Sequence, residues 1–216
     1  SVANLNIRLP VVVIGGGLTA IDTATEALAY YVKQVEKFLA RHEKLDANGD
    51  ADAGWTTEEQ GFAEEFLEHG KAIRAERQAA DAEGRLANFA PLLDSWGGAT
   101  IAYRRRLIDA PSYTLNHEEI TKAFEQGMRF AEMVSPVAID VDEHGHAQTI
   151  KLELQEMDEH NRPNATGHVI SLPARAILIA AGTQPNTVIA REYPGFAELD
   201  GKYFQAEDED GTIVKP

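Results

Sequence analysis

Val11-Val12-Val13-Ile14-Gly15-Gly16-Gly17-Leu18-Thr19-Ala20-Ile21-Asp22 is the stretch on which the fold of this chain turns. Four β-branched residues in a row, just after Pro10, have no polar face, which is the pattern of a fully buried parallel strand. The run stops abruptly at three glycines. From Thr19 onward, apolar residues at Ile21, Leu28, Val32, Val35 and Leu39 share one helical face, so the spacing predicts a helix reaching about Ala40. Gly15 to Ala20 thus match G-x-G-x-x-A between a buried strand and an amphipathic helix. Gly15 permits the tight turn, and Gly17 has no Cβ, so backbone can approach a pyrophosphate. Gly16 and Leu18 complete the loop, Ala20 lets helix and strand pack closely, and the helix N-terminus around Thr19 offers free N–H groups. The motif points to a dinucleotide site, and its alternative is a bland glycine-rich turn.

Working outward, Asp46 to Gly54 is polar and turn-rich, and Thr57-Glu58-Glu59 predicts the cap and acidic first turn of a second helix with Phe62, Phe66, Gly70, Ile73 and Arg77 along one face. A third, Ala-rich helix is expected to reach about Leu93. Gly97-Gly98 then breaks the pattern before a strand from Ala99 to Tyr103. A helix from Asn116 to Gln126 and a strand from Met128 to Ala131 follow. Ala138 to Val141, Gln148 to Leu154 and His168 to Leu172 alternate between turn-forming segments and predict an antiparallel meander. Ala176 to Ala181 returns to a continuous apolar strand ending in Gly182. The expected class is α/β: a Rossmann-like three-layer domain with a mainly parallel sheet, a β-meander and an inserted helical hairpin. Residues 1–40 and 97–190 form the nucleotide-binding domain in this reading, 41–96 the helical insertion, and 191–216 a linker.

Composition narrows the chemistry. The 216 residues are 44% hydrophobic, enough for a full core, and carry a formal net charge of -15, which repels polyanions. Nucleic acid and anionic membranes are therefore not expected partners, and a phosphate site has to be a local cluster of Arg, Lys and backbone N–H groups. There is no cysteine, which excludes disulfides, thiolate metal sites and iron-sulfur clusters, so electron chemistry would need an organic cofactor. No stretch approaches a membrane span, and the first residues lack a signal-peptide pattern, making the cytoplasm the default expectation. A first strand met almost at once, with no initial Met, suggests a piece of a longer protein.

The second strand ends in Tyr103-Arg104-Arg105-Arg106, with no acid before Asp109. An acid at this point holds the ribose hydroxyls of NAD, whereas guanidinium groups suit a 2′-phosphate through charge-assisted bonds. NADP(H) is therefore preferred, with NAD(H) as the second choice. The competing reading of the arginines is a solvated basic turn on an acidic chain.

Val13 to Asp22, the Tyr-Arg-Arg end of the second strand, Ala110-Pro111 followed by Glu118-Glu119 and Glu125-Gln126-Gly127, and Ala180-Ala181-Gly182-Thr183-Gln184-Pro185-Asn186 together resemble the NADPH-binding domain of flavin-dependent pyridine nucleotide-disulfide oxidoreductases, nearest to the glutamate synthase small-subunit branch. In that family the domain sits within an FAD-binding domain, and NADPH passes hydride to the flavin. The resemblance implies that Thr19 lies by the pyrophosphate, Arg104 and Arg105 by the 2′-phosphate, and Gly182 close to the dinucleotide. It also implies a partner, the FAD-binding domain of the same polypeptide, so FAD is not expected to bind this segment, which would be inactive alone. Leu18 stands where the branch commonly carries Asn, and the helical insertion is foreign to the pattern.

Other signals are weaker. Asp46 to Asp52 has the acid spacing of a calcium loop, but Ala51 replaces its glycine and Thr57 its final acid. His144 and His146 flank a turn glycine with no third ligand in sequence reach, favouring a surface role over a metal. Asp22 reads as a buried carboxylate or a packing residue. A homo-oligomer or an electron-acceptor subunit is a further expected partner of the oxidoreductase reading, and the rival function is a non-catalytic module whose helical insertion makes the working contact.

Overall fold

The computed structural model describes residues 6–47, 54–182, 186–193, 199–200 and 203–214, so most of the Asp46 to Asp52 loop and Thr183 to Pro185 lie outside the described residues. The elements are β1 (Val11–Ile14), α1 (Leu18–Asp46), α2 (Thr57–Glu83), α3 (Ala90–Ser95), β2 (Ala99–Ala102), a 3₁₀ turn (Leu107–Asp109), α4 (Pro111–Glu125), β3 (Met128–Ala131), β4 (Val134–Val141), β5 (Ala147–Met157), β6 (Pro163–Pro173), β7 (Ala176–Ile179), α5 (Val188–Glu192) and four two-residue strands, β8 to β11. Two compact units divide at Ala181/Gly182.

The first unit is α/β. Its main sheet has the order β3-β2-β1-β7, and every pairing is parallel. Strand pleating sends alternate residues to opposite faces. Val11, Val13, Ala99 and Ile101 are buried in one cluster with Ala20, Ala24, Leu28 and Tyr31 of α1 and Ile120 and Ala123 of α4. Val12 and Ala102 are buried on the other face against Val134, Ile150 and Leu152 of an antiparallel sheet of order β4-β5-β6. The run Val11 to Ile14 is apolar throughout because both its faces are covered. The meander strands extend beyond their expected ends, and the second turn is built on Asp158, whose Oδ1 accepts from the His160 and Arg162 backbone N–H groups. Pro163 opens β6 instead of sitting in the turn.

The helices depart from expectation in three places. α1 runs to Asp46 instead of about Ala40, because its last turns are held by α2: Arg74 donates to both Glu43 carboxylate oxygens, at 2.7 and 2.8 Å. α2 is capped by Thr56, one residue before the expected start, with Thr56 and Glu59 forming a reciprocal capping box. It then continues through the Ala-rich stretch as one helix and ends at Gly84 in the left-handed conformation (φ 66°), leaving only the six-residue α3 where a third long helix was expected. α4 joins two helical segments across a non-helical kink at Asn116 (φ -156°, ψ 77°), so the expected helix from Asn116 is its second segment, and a first segment from Pro111 precedes it.

α1 and α2 lie antiparallel, with Glu43 meeting Arg74 and Glu36 meeting Arg77. Phe66 and Ile73 join Val32 and Val35 in the cluster behind the parallel sheet. Phe62 does not join them, because the Arg8 guanidinium lies over its ring at 4.0 Å and His146 meets it edge-on. Glu65 of α2 binds Arg8, which precedes β1, and Arg175, which precedes β7, each at 2.7 Å, tying α2 to the sheet's N-terminal edge. Burial raises the pKa of this carboxylate, and Arg8 opposes the rise. Deeper in, the Tyr31 hydroxyl and His69 Nδ1 are 2.6 Å apart, and the imidazole stacks on Trp96 with ring centroids at 3.8 Å.

The second unit contains α5 and two short antiparallel hairpins, β8 (Leu199–Asp200) with β9 (Tyr203–Phe204) and β10 (Ala206–Glu207) with β11 (Ile213–Val214). The turn of the second hairpin is closed by Asp208, whose Oδ1 accepts from the Asp210 and Thr212 N–H groups.

Two stability predictions follow from the α1–α2 seam. A Cβ at Gly70 would lie 2.8 Å from the Val35 carbonyl oxygen and 3.0 Å from Leu39 Cβ, and backbone cannot swing aside. Gly70→Ala should therefore destabilise the fold by roughly 1–3 kcal/mol despite its better helix propensity, read as a lower thermal midpoint; an unchanged or raised midpoint would mean that the helices are not in contact there. Burial lowers the His69 pKa below its usual 6.5. The unfolded chain therefore takes up this proton at a higher pH than the folded one. Its contribution to stability is complete above the unfolded value and declines as the pH falls below it. Urea titrations at about pH 7.5 and about pH 5.5 should show a larger loss in the unsubstituted protein than in His69→Phe; equal losses would place a charged imidazole in the fold.

Candidate functional site

The parallel register aligns the C-terminal ends of three strands: Ile14 pairs with Ala102 of β2 and with Ile179 of β7. β1 is where the strand order switches, since the chain goes from it to β2 on one side and β7 lies on the other. Ligands of open α/β sheets bind in the crevice at such a point. Gly15, Gly16 and Gly17 leave β1 into this crevice, and their surroundings differ. A Cβ at Gly15 would be 2.3 Å from the Ala180 carbonyl oxygen and 3.2 Å from Ala20 Cβ, and one at Gly16 would be 2.4 Å from the Tyr103 ring. At Gly17 nothing lies within 4 Å. Protein fills the space at the first two, whereas a Cβ at the third would meet no protein atom among the described residues.

α1 starts at Leu18 with Gly17 as its N-cap, and no side chain caps it. The Ala20 N–H bonds the Gly17 carbonyl at 2.9 Å, a tight first turn that turns the preceding N–H groups outward. Ala20 is fully buried against the strand, Leu18 is half-buried and Thr19 exposed. These residues form an uncapped helix N-terminus next to open space, a surface suited to an anion.

Tyr103 to Arg106 leave β2 at the same edge. Arg106 is engaged: it donates from Nε and Nη2 to the two Asp109 carboxylate oxygens, at 2.7 and 3.1 Å, and holds that carboxyl below its usual range. Arg104 is exposed and Arg105 half-buried, and neither guanidinium has a hydrogen-bonded or ion-paired partner among the described residues. Asp109, the nearest acid after the strand, is thus taken up by Arg106.

Two residues that sequence reasoning missed complete the turn. Ser112, fully buried, donates to the Gly16 carbonyl from both its hydroxyl, at 2.9 Å, and its backbone N–H, at 3.1 Å. Tyr103 packs its ring on Gly16, with its own backbone held on both sides by the Ala131 carbonyl and the Val134 N–H. The only sequence signal was the compact Ala110-Pro111-Ser112 preceding a helix, and nothing in it points back to Gly16.

Gly182, the remaining expected site residue, opens the second unit, with φ 103° and nothing within 4 Å of a Cβ. Asp22 is exposed, not buried; it faces away from the sheet while its neighbour Ile21 packs inward. His144 and His146 both meet Glu58 of α2, His146 through Nε2 and His144 with Nδ1 3.5 Å from the carboxylate. Asp142 beside them is occupied by the His144 and His146 backbone N–H groups. No group of three or more metal-ligating side chains that could hold an ion is found among the described residues, and no described helix is long and apolar enough to cross a membrane.

No family model matches the chain. An uncharacterized protein of Rickettsia prowazekii is 31% identical over 98% of this chain, which spans 29% of that protein's length. Among solved structures, a thioredoxin reductase of T. acidophilum is 14% identical with a TM-score of 0.44, covering 95% of this chain and 41% of its own. A ferredoxin reductase from Rhodopseudomonas palustris is 12% identical with a TM-score of 0.38, covering 84% and 26%. A bacillithiol disulfide reductase from Bacillus cereus is 9% identical with a TM-score of 0.41, covering 93% and 37%.

Proposed function

We propose that this chain is the NADPH-binding part of a flavin-dependent oxidoreductase, of the pyridine nucleotide-disulfide type and nearest to the glutamate synthase small-subunit branch, and that FAD is held by residues outside it. The observation that carries this reading is the contrast among the three glycines: protein fills the space at Gly15 and Gly16, while Gly17 opens on an uncapped helix N-terminus at the strand-order switch. Those features fit a pyrophosphate, which needs close backbone approach and N–H donors and would be excluded by a Cβ. Leu18, Thr19 and Ala20 supply the first turn of that helix. Gly182 is assigned to the dinucleotide on the resemblance alone.

Arg104 and Arg105 are proposed to bind the 2′-phosphate. On a chain of net charge -15, two guanidinium groups with no hydrogen-bonded or ion-paired partner among the described residues, beside a third that is neutralised by Asp109, are the local positive charge that an anion requires. No acid in this strand end is free to hold a ribose 2′-hydroxyl, which favours NADP(H) over NAD(H). Bound NADPH would supply the hydride. The residues of the chain bind and orient the cofactor, and none of them has to move a proton. The cytoplasm is the proposed location, and the proposed partner is the flavin domain.

Replacing Arg104 and Arg105 together with Ala should remove a preference for NADPH over NADH in fluorescence titrations, with about 1 kcal/mol or less lost per exposed charged contact after solvent screening. Equal affinity of the unsubstituted chain for the two cofactors would overturn the assignment. Gly17→Val should abolish binding of both nucleotides and leave the circular dichroism spectrum and melting behaviour close to those of the unsubstituted chain, since a Cβ there meets no protein atom within 4 Å among the described residues. Undiminished NADPH binding by that variant would remove Gly17 from the site.

A further inference from the structure

We infer that Ser112 is a positioning residue that sets the spacing between the pyrophosphate turn and the arginine arm, and so determines cofactor preference without touching the cofactor. This rests on the nucleotide reading above. The arm from Tyr103 to Ser112 leaves β2, carries Arg104 and Arg105, passes through the 3₁₀ turn and enters α4. Both of its ends converge on one residue. Tyr103 covers the Gly16 Cα with its ring, and Ser112 takes the Gly16 carbonyl with two donors.

Between those ends the arm is tied to a different part of the chain. The Met133 N–H bonds the Arg105 carbonyl at 3.1 Å, and the Leu107 N–H bonds the Glu132 carboxylate at 2.7 Å. These contacts hold the arginines to the segment joining β3 and β4. None of them reaches the glycine turn. The Gly15 N–H bonds the Ala102 carbonyl at 3.2 Å and fixes the base of the arm; beyond Tyr103 the register between the two phosphate-binding elements depends on the Gly16 anchor, and its polar half is Ser112. A buried hydroxyl that donates a hydrogen bond to a backbone carbonyl separated by 96 residues fixes that carbonyl. Because the peptide unit is planar and trans, holding the Gly16 C=O toward α4 directs the Gly17 N–H the opposite way, toward the open side of the turn.

A role in solubility or core filling would not distinguish one nucleotide from another. Register between two subsites does, because NADPH must satisfy both and NADH only one.

The test is titration of Ser112→Ala with NADPH and with NADH, alongside amide hydrogen exchange across residues 104–109. The Ala side chain keeps the volume of the Ser methylene and the backbone N–H bond, and removes only the hydroxyl. The expected result is a several-fold loss of NADPH affinity, a smaller loss for NADH, and faster exchange in the arm. Tyr103→Leu, which removes the apolar half of the same anchor, should lower the NADPH-to-NADH ratio as well, and it carries the test if the Ser112 variant does not fold. An unchanged ratio in both variants overturns the inference, even if both affinities fall together. An unsubstituted chain that binds neither cofactor would instead sink the nucleotide reading, taking the inference with it; that result is told apart because it needs no variant.

Discussion

β1 is paired on both edges and covered on both faces, and most of the first unit follows from satisfying those four demands at once. Its backbone groups are taken by β2 and β7, its odd residues by α1 and its even residues by the meander. A strand enclosed on every side can leave only at its ends. At its C-terminal end the Ala180 carbonyl and the Tyr103 ring are already so close that Gly15 and Gly16 admit no side chain. The open position at Gly17 is thus a consequence of packing before it is a feature of binding: once two glycines have carried the chain past its neighbours, the helix begins with its N–H groups uncapped at the sheet's edge.

What the sequence reveals of this arrangement is uneven, and the unevenness has physical causes. β1 was legible to the residue because a run of four apolar residues ended by glycine has few alternatives, and β3 because Gly127 and the charged Glu132 bound its four residues. Gly70 and Gly84 look alike in sequence, yet one is an ordinary helical residue pressed against α1 and the other ends α2 in a left-handed conformation. Which role a glycine plays depends on what faces it across the seam. Likewise, Asn116 marks a helix start that local sequence can show, extended in backbone and donating from Nδ2 to Glu119 Oε1 at 2.6 Å. A further segment precedes it from Pro111, where Ser112 is held by a residue that local sequence cannot show.

The candidate site divides along the same line. The glycine spacing, the helix that follows and the basic strand end are local patterns, and they were readable. Tyr103 appeared only as the residue before the arginines, and Ser112 not at all, because each acts through a contact with Gly16 that exists only after β1 and β2 have paired. Phe62 shows the opposite error. Its spacing put it on the α1-facing stripe, and the guanidinium of Arg8 gave its ring a different partner.

The long excursion between α1 and β2 also looks different once its contacts are known. By length alone it reads as an addition to a nucleotide-binding core. Yet Phe66 and Ile73 share a buried cluster with β1, and Glu65 links the residues entering β1 and β7. Glu65 makes these contacts at the edge of the sheet opposite the glycine turn. Loss of α2 would leave Val35 and Leu39 exposed and Arg8 and Arg175 without their shared carboxylate, so the excursion supports the positions of the strands themselves. The two ends of the sheet therefore answer to different constraints. At one, ion pairs and aromatic rings hold the strands together from below; at the other, close packing leaves a single glycine uncovered.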